Sequence, residues 1–485
     1  MSADDRLAFF GARRLLRLLD RREISSQELT ELYIRRIGQH NPRLNAVVTP
    51  TFELAVEAAK RADQRRWAGA RAPLLGLPIT VKDSLETAGV RTTAGAPEYR
   101  DHVPERDATV VQRLREAGAV MLGKTNLPLL AGDVQTFNEI FGLTHNPWNL
   151  DRTVGGSTGG GAAALAAGLS ALEPGSDIGG SIRSPSHFCG VCGLKTSERI
   201  VPGRGHLPDA FSMAVIGPLA RRMEDLELAL GVMAGDEPPA DRGWKLRLPP
   251  PRALRPRDAR IAVWPGGEPV PPSRDVVDAV ERAAVALRDA GATVEDALPD
   301  WFDLGESHLR YQFALGNVMG AGFPAHTIAE MRQRAARESA DYWREVSRRF
   351  AAGVAAPFGQ VITSERQRLK YRALWDEFFR RYDALIAPVF PRDAFPHDLR
   401  PWGSRTLEVD DRRYPFDAAT VYAGVAVYAG LPAAAVPVGR SRDGLPVGVQ
   451  VITAYCDDRT ALRVGRWLER ELGGYTPPPG YAAPV

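Results

Sequence analysis

Residues 153–195 constrain what this chain can fold into more than any other stretch. They read Thr-Val-Gly-Gly-Ser-Thr-Gly-Gly-Gly, then an alanine-rich run, then Gly-Ser-Asp-Ile-Gly-Gly-Ser-Ile-Arg-Ser-Pro. Two loops of small residues, one centred on Ser157 and one on Ser181, flank a short helix expected over about 161–169. That helix is almost entirely Ala, Leu and Gly, so it offers no polar face and belongs in the interior. Glycine adopts backbone conformations closed to other residues and lets another group approach the main chain closely. A serine set among glycines is therefore presented to a ligand beside bare backbone N–H groups. Ile178, Gly179, Gly180 and Ser181 offer four such donors in one turn, which suits acyl transfer, where an oxyanion must be stabilised.

A serine hydroxyl is a weak nucleophile until an adjacent base takes its proton. The chain has 62 Lys and Arg residues, but only Lys60, Lys82, Lys124, Lys195, Lys245 and Lys370 are lysines. Arginine serves wherever a permanent charge suffices, whereas a buried lysine can lose its proton and act as a base. Lys82 follows the apolar run 77–81, a strand whose C-terminal end is where open α/β sheets place functional residues. The competing reading is a structural lysine paired with Asp83.

Together these segments resemble the amidase signature family. The resemblance is carried by Asp177-Ile178-Gly179-Gly180-Ser181-Ile182-Arg183, by Phe188-Cys189-Gly190-Val191-Cys192-Gly193-Leu194-Lys195 and by Leu77-Pro78-Ile79-Thr80-Val81-Lys82-Asp83. It spans most of the chain, from about residue 5 to 472. It implies Lys82 as base, Ser157 as a bridging serine on a cis peptide bond, and Ser181 as nucleophile. Thr158 stands where the family more often has a second serine and is a candidate supporting hydroxyl; Asp177 and Arg183 are expected to pair and hold the nucleophile loop. Residues 129–137 occupy the place of the acyl pocket, with Ala131, Gly132 and Gln135 as candidate lining and room for a bulky group.

The implied fold is α/β, a single α/β/α domain over residues 1–485 with a central mixed, twisted β-sheet between helices. Its core is expected at 60–235 and 380–472, with a helical region at about 300–380 shaping substrate access. The implied reaction is hydrolysis of the C–N bond of carboxylic amides through a Ser-Ser-Lys triad and an acyl-enzyme, with no cofactor or metal. Aryl amides, carbamates (urethanes) and esters are close variants. The alternative is the glutaminase subunit of a tRNA amidotransferase complex.

Composition narrows the partners. Hydrophobic content of 44% and charged content of 25% suit a globular chain with a sizeable core. A formal charge of +3 with interspersed signs gives no indication of nucleic-acid binding. Three cysteines exclude a disulfide framework and fit a reducing compartment; Cys189 and Cys192 read as buried structural residues. No apolar run reaches membrane-spanning length, and the start, Met-Ser-Ala-Asp-Asp-Arg, lacks a signal-peptide pattern. The expectation is a cytoplasmic monomer or homodimer acting on a small-molecule amide or carbamate, with neither nucleic acid nor membrane as partner. The glycines of 155–161 lack the Gly-Lys-Ser/Thr ending of a phosphate loop. His187 lies near the nucleophile in sequence, but Lys82 already fills the base's role.

Elsewhere, apolar spacing predicts helices at 5–20 and 26–38, the second opened by a Ser25/Glu28 capping box. A strand–helix–strand unit starts at 260, with Ser273 as helix cap. The Pro- and Arg-rich 237–257 reads as a surface linker. Arg442-Asp443-Gly444 turns a hairpin between 433–438 and 445–452, a helix closes the chain at 459–472, and the Pro-rich tail from Pro477 reads as mobile.

Overall fold

In the computed structural model, which describes residues 3–210, 212–337 and 340–482, the site is held where two sheets meet. The larger is an eight-stranded mixed sheet. From one edge its strands are Thr293–Asp296, Arg260–Val263, Ala384–Pro388, Pro446–Ile452, Ala433–Arg440, Cys192–Lys195, Val215–Ala220 and Leu172–Asp177. The first three are parallel, as the strand–helix–strand reading requires; the others pair antiparallel. Pro446–Ile452 is apolar almost throughout and buried at every residue, as expected of a strand covered on both faces. It pairs with Ala433–Arg440 to form the predicted hairpin.

The smaller sheet has three strands, with Val120–Thr125 between Val47–Pro50 and Pro78–Lys82. Its edge strand Pro78–Lys82 lies alongside the larger sheet's edge strand Leu172–Asp177, but no regular ladder joins them. Instead the Thr80 N–H donates to Ser170 Oγ (3.0 Å) and the Ala171 N–H donates to the Pro78 carbonyl (3.3 Å). The central sheet is therefore interrupted at this seam, and the seam sets Lys82 beside Ser176.

Two apolar clusters fill the interior. One, with Leu15, Leu29, Ile79, Leu165 and Val449, lies beneath the sheets. The other is aromatic-rich, with Tyr311, Trp375, Phe390 and Tyr422, and gathers the helices Leu304–Met319 and Phe358–Arg381 over the larger sheet.

The capping box forms: the Glu28 N–H donates to Ser25 Oγ, and Glu28 Oε2 accepts the Ser25 N–H. The helix it opens runs Ser26–Leu44, past the predicted end, until Asn45 turns left-handed at φ 53°. Ser273 precedes the helix Arg274–Asp289 without a side-chain cap bond. The tail is not loose over the described residues. Tyr475 and Tyr481 are buried, the Tyr475 hydroxyl donates to the Ala166 carbonyl (2.8 Å), and Arg36 donates to the Tyr481 carbonyl (2.9 Å). An aromatic anchor within the tail, Tyr481, and one just before it, Tyr475, outweigh the freedom that the proline-rich composition from Pro477 suggests; residues 483–485 lie outside the described residues. No described helix is long and apolar enough to cross a membrane.

Candidate active site

The signature helix is Gly159–Ala166, and every residue of it is buried. Its opening glycines are there because nothing larger fits: a Cβ on Gly161 would lie 2.5 Å from Glu173 Cγ. The helix is entered through the first serine loop, whose Gly156–Ser157 peptide bond is cis. The second serine loop follows the strand Leu172–Asp177, and the Thr158 N–H donates to the Ser181 carbonyl (3.0 Å), stitching the two loops together.

Lys82 is fully buried, with Nζ 2.7 Å from Ser157 Oγ and 2.9 Å from Ser176 Oγ. Burial pushes its pKa down to about 7, against the upward pull of Asp177 and Glu173. Asp83 does not partner it: Asp83 Oδ2 accepts from the Thr93 N–H and from the Thr93 hydroxyl, at 3.0 and 2.5 Å. Lys82 thus faces hydroxyls, and its proton is loosely enough held to be lost near neutral pH.

Asp177 organises the nucleophile turn. It accepts the N–H groups of Gly180 (2.9 Å) and Ile182 (3.1 Å), and pairs with Arg183 Nε and Nη2 at 3.0 Å each. Burial would raise its pKa, but Arg183 prevails and holds it at about 2. Arg183 continues to Gln450 Oε1 (2.7 Å) and the Ala423 carbonyl (3.1 Å). The expected Asp177–Arg183 pair is therefore present, and it engages one of the four candidate oxyanion donors, because the Gly180 N–H already has an acceptor. That leaves the N–H groups of Ile178, Gly179 and Ser181 as the candidate donors.

The candidate pocket segment divides. Gly156 packs against the backbone of Asp133 and Gln135, so this segment does border the first serine loop. Gly132 faces Met319 Cε, 3.8 Å from where a Cβ would lie. Ala131 turns left-handed at φ 57°. Gln135, however, is a strut: its amide both donates to and accepts from the Asp398 backbone (2.7 and 3.0 Å) and is fully buried.

Residues that motif reading passes over complete the surroundings. Tyr311 donates to the Ile178 carbonyl (3.1 Å), and a Cβ on Gly179 would lie 3.1 Å from its hydroxyl and 3.9 Å from Thr420 Cγ2. Tyr311 and Met319 are eight residues apart on Leu304–Met319, so one face of that helix runs from the nucleophile turn to Gly132. Beneath the lysine, Glu173 is buried and raised by that burial to about 7, with Oε1 accepting from the Thr125 hydroxyl (2.5 Å). His206 reaches Ser176 Oγ at 2.8 Å. Ser176 was legible as the neighbour of Asp177 in the Gly-Ser-Asp motif; nothing local marks Tyr311, Thr420 or His206.

The rival groups resolve as structural. His187 accepts the Gly448 N–H at Nδ1 (2.9 Å) and faces the Arg392 carbonyl with Nε2 (3.0 Å), a satisfied core histidine. Cys189 and Cys192 are buried and unpaired, their thiols pushed up by burial. Among the described residues no cluster of three or more His, Cys, Asp or Glu could hold a metal ion.

A family model described as Amidase matches residues 28–462. A curated relative from Caldanaerobacter subterraneus subsp. tengcongensis, a glutamyl-tRNA(Gln) amidotransferase subunit, is 34% identical over 473 residues, covering 94% of this chain and 95% of its own. Among solved structures, a chain from a vestigial protein complex described as revealing the evolutionary origins of an s-triazine catabolic enzyme superposes with a TM-score of 0.80 at 31% identity, over 96% of this chain and 99% of that one. A crystal structure titled amidase superposes with a TM-score of 0.78 at 28% identity, over 96% and 100%. The curated relative overturns the expectation of a small-molecule substrate, no nucleic acid and a monomer or homodimer, since its name carries both a tRNA and the word subunit. Net charge does not decide the matter because it averages the whole surface, and neither a partner interface nor a shared nucleic-acid substrate requires a strongly charged chain.

Proposed function

The chain belongs to the amidase family and is an amidohydrolase acting on C–N bonds, and on that premise we propose that it is the amide-hydrolysing subunit of a glutamyl-tRNA(Gln) amidotransferase, releasing ammonia from glutamine in the cytoplasm. The chemistry rests on one observation above all: a fully buried lysine with a pKa near 7, 2.7 Å from the hydroxyl of Ser157. The choice of substrate and assembly is supported by the curated relative, which matches this chain nearly end to end.

In this reading Ser181 Oγ attacks the carboxamide carbon while its proton passes to Ser157 Oγ and the Ser157 proton passes to Lys82 Nζ. The carbonyl oxygen becomes an oxyanion held by the N–H groups of Ile178, Gly179 and Ser181. Collapse breaks the C–N bond, and the proton returns from Lys82 through Ser157 to the departing nitrogen. Water then attacks the Ser181 ester through the same relay and releases the carboxylate. Asp177 and Arg183 hold the turn that aims these donors, and Thr158 ties the serine loops.

The test is a hydrolysis panel of L-glutamine, an aryl anilide, an aryl carbamate and an aryl ester, with Ser181→Ala as blank, alongside identification of chains that co-purify from the native host. Glutamine turnover that vanishes in the blank, with partner chains co-purifying, is the expected result. Turnover of anilide or carbamate without glutamine turnover would replace this assignment with a catabolic amidase or urethanase.

A further inference from the structure

We propose that His206 is a positioning residue for the base: acting through Ser176, it turns the lone pair of Lys82 toward Ser157. The argument is one of hydrogen-bond direction. His206 Nδ1 lies 2.9 Å from the Pro208 carbonyl. A carbonyl only accepts, so Nδ1 carries the hydrogen, and in the neutral ring Nε2 is then a bare acceptor. Two hydroxyls reach Nε2, and its single lone pair goes to the nearer, Ser176 at 2.8 Å, rather than to Ser84 at 3.1 Å. Burial and the nearby Lys82 charge lower the imidazole to about 4, so the ring stays neutral at working pH.

A serine hydroxyl has one hydrogen. With that of Ser176 given to His206, its oxygen can only accept from Lys82 Nζ at 2.9 Å. One N–H of the neutral amine is thereby directed at Ser176, and the lone pair is left for the Ser157 proton at 2.7 Å. Without an acceptor at position 206, the Ser176 hydroxyl is free to rotate and donate to that same lone pair, removing the base from Ser157. His206 is not itself in the proton path. It decides which way the path is connected.

Ser176 and His206 also border a cavity of about 110 Å³ with Glu198, Ser212 and Ile216. Water entering that space could stand in for a truncated side chain, so the informative substitutions are those that keep the volume filled. His206→Phe removes the acceptor; His206→Gln carries an amide oxygen to where Nε2 sits.

The inference rests on the reading of Lys82 as the base, and the experiment separates the two. A fluorophosphonate probe phosphonylates activated serines: the Ser181 oxygen–phosphorus bond forms, fluoride leaves, and the proton passes to Ser157 and Lys82, so the rate reports activation without a known substrate. With the full-length chain, His206→Phe and Ser176→Ala are expected to slow labelling of Ser181 by about 30-fold, and His206→Gln to recover it to within about threefold. Folding is checked by thermal melting; where His206→Phe does not fold, His206→Leu, which also lacks the acceptor and keeps Ser176, carries the same expectation. Labelling of His206→Phe or Ser176→Ala at the wild-type rate overturns the proposal. So does His206→Gln as slow as His206→Phe, since position 206 then acts by shape alone. If Lys82→Ala labels at the wild-type rate, or the wild type does not label, the reading of Lys82 as base has failed and this inference with it.

Discussion

Lys82 and Lys124 stand on adjacent strands, Val81 opposite Lys124 and Lys82 opposite Thr125 in register, and both are fully buried. Burial lowers both, Lys82 to about 7 and Lys124 to about 8. What separates them is the partner set. Lys124 donates to the Leu85 carbonyl and to the hydroxyls of Thr87 and Thr92. Both of those threonines have given their own hydrogens to carbonyls, Thr87 to Leu85 and Thr92 to Val90. All three partners of Lys124 can therefore only accept, which demands three N–H bonds and holds the ammonium form. Lys82 meets two hydroxyls, and the Ser157 hydrogen is still available to give. Burial makes a lysine able to lose its proton; the direction of its neighbours' hydrogen bonds decides whether it becomes a base.

The strongest way to break this contrast is to remove each amine in turn. Lys82→Ala is expected to lower kcat at least about 10³-fold, a loss of about 4 kcal/mol of transition-state stabilisation, with Ser181→Ala at least as severe and both chains folded by circular dichroism. Lys124→Met should do the reverse. It leaves three buried acceptors and Asp83 without their cation, costing about 3 kcal/mol in denaturant unfolding while the rate per folded molecule stays within about threefold. Equal activity losses at the two positions would erase the distinction.

The pH profile sharpens it further. Because the base works in its neutral form and its pKa is lowered to about 7, kcat/KM should be flat above that value. It should fall about tenfold per unit below it, about 1.4 kcal/mol each. A limb governed by Asp177, which Arg183 holds at about 2, would lie well below this. The smallest effect is expected from Thr87→Val, which takes one acceptor from Lys124 and should cost about 1 kcal/mol of stability, seen as a lowered melting temperature at unchanged KM.

Much of this was legible in the linear chain where the signal is local. The Ser25/Glu28 capping box, the hairpin about Arg442-Asp443-Gly444 and the all-apolar signature helix each reside within a few residues, and each formed. The candidate site was partly legible for the same reason: the Ser157 and Ser181 loops are spelled out in glycines, and Asp177 sits six residues from the Arg183 it binds. Gln135 was misjudged because its identity suggested a polar lining residue, whereas its amide is engaged by the Asp398 backbone, 263 residues away. The tail from Pro477 was misjudged because proline content describes a chain's intrinsic stiffness and not the pocket that receives Tyr481.

The sequence by itself determined the reagents: two serines in glycine loops, a rare lysine at the end of an apolar strand, and an acid–arginine pair to brace the turn. These follow from residue type and short spacing, which the backbone converts directly into local geometry. The tertiary structure alone decided how the reagents are wired. Lys82 meets Ser176 across a seam between two sheets, 94 residues apart in the chain, and His206 reaches Ser176 from 30 residues beyond it. A hydroxyl's role as donor or acceptor is set by whichever third group takes its hydrogen, and that is a property of the packed neighbourhood that no single segment carries.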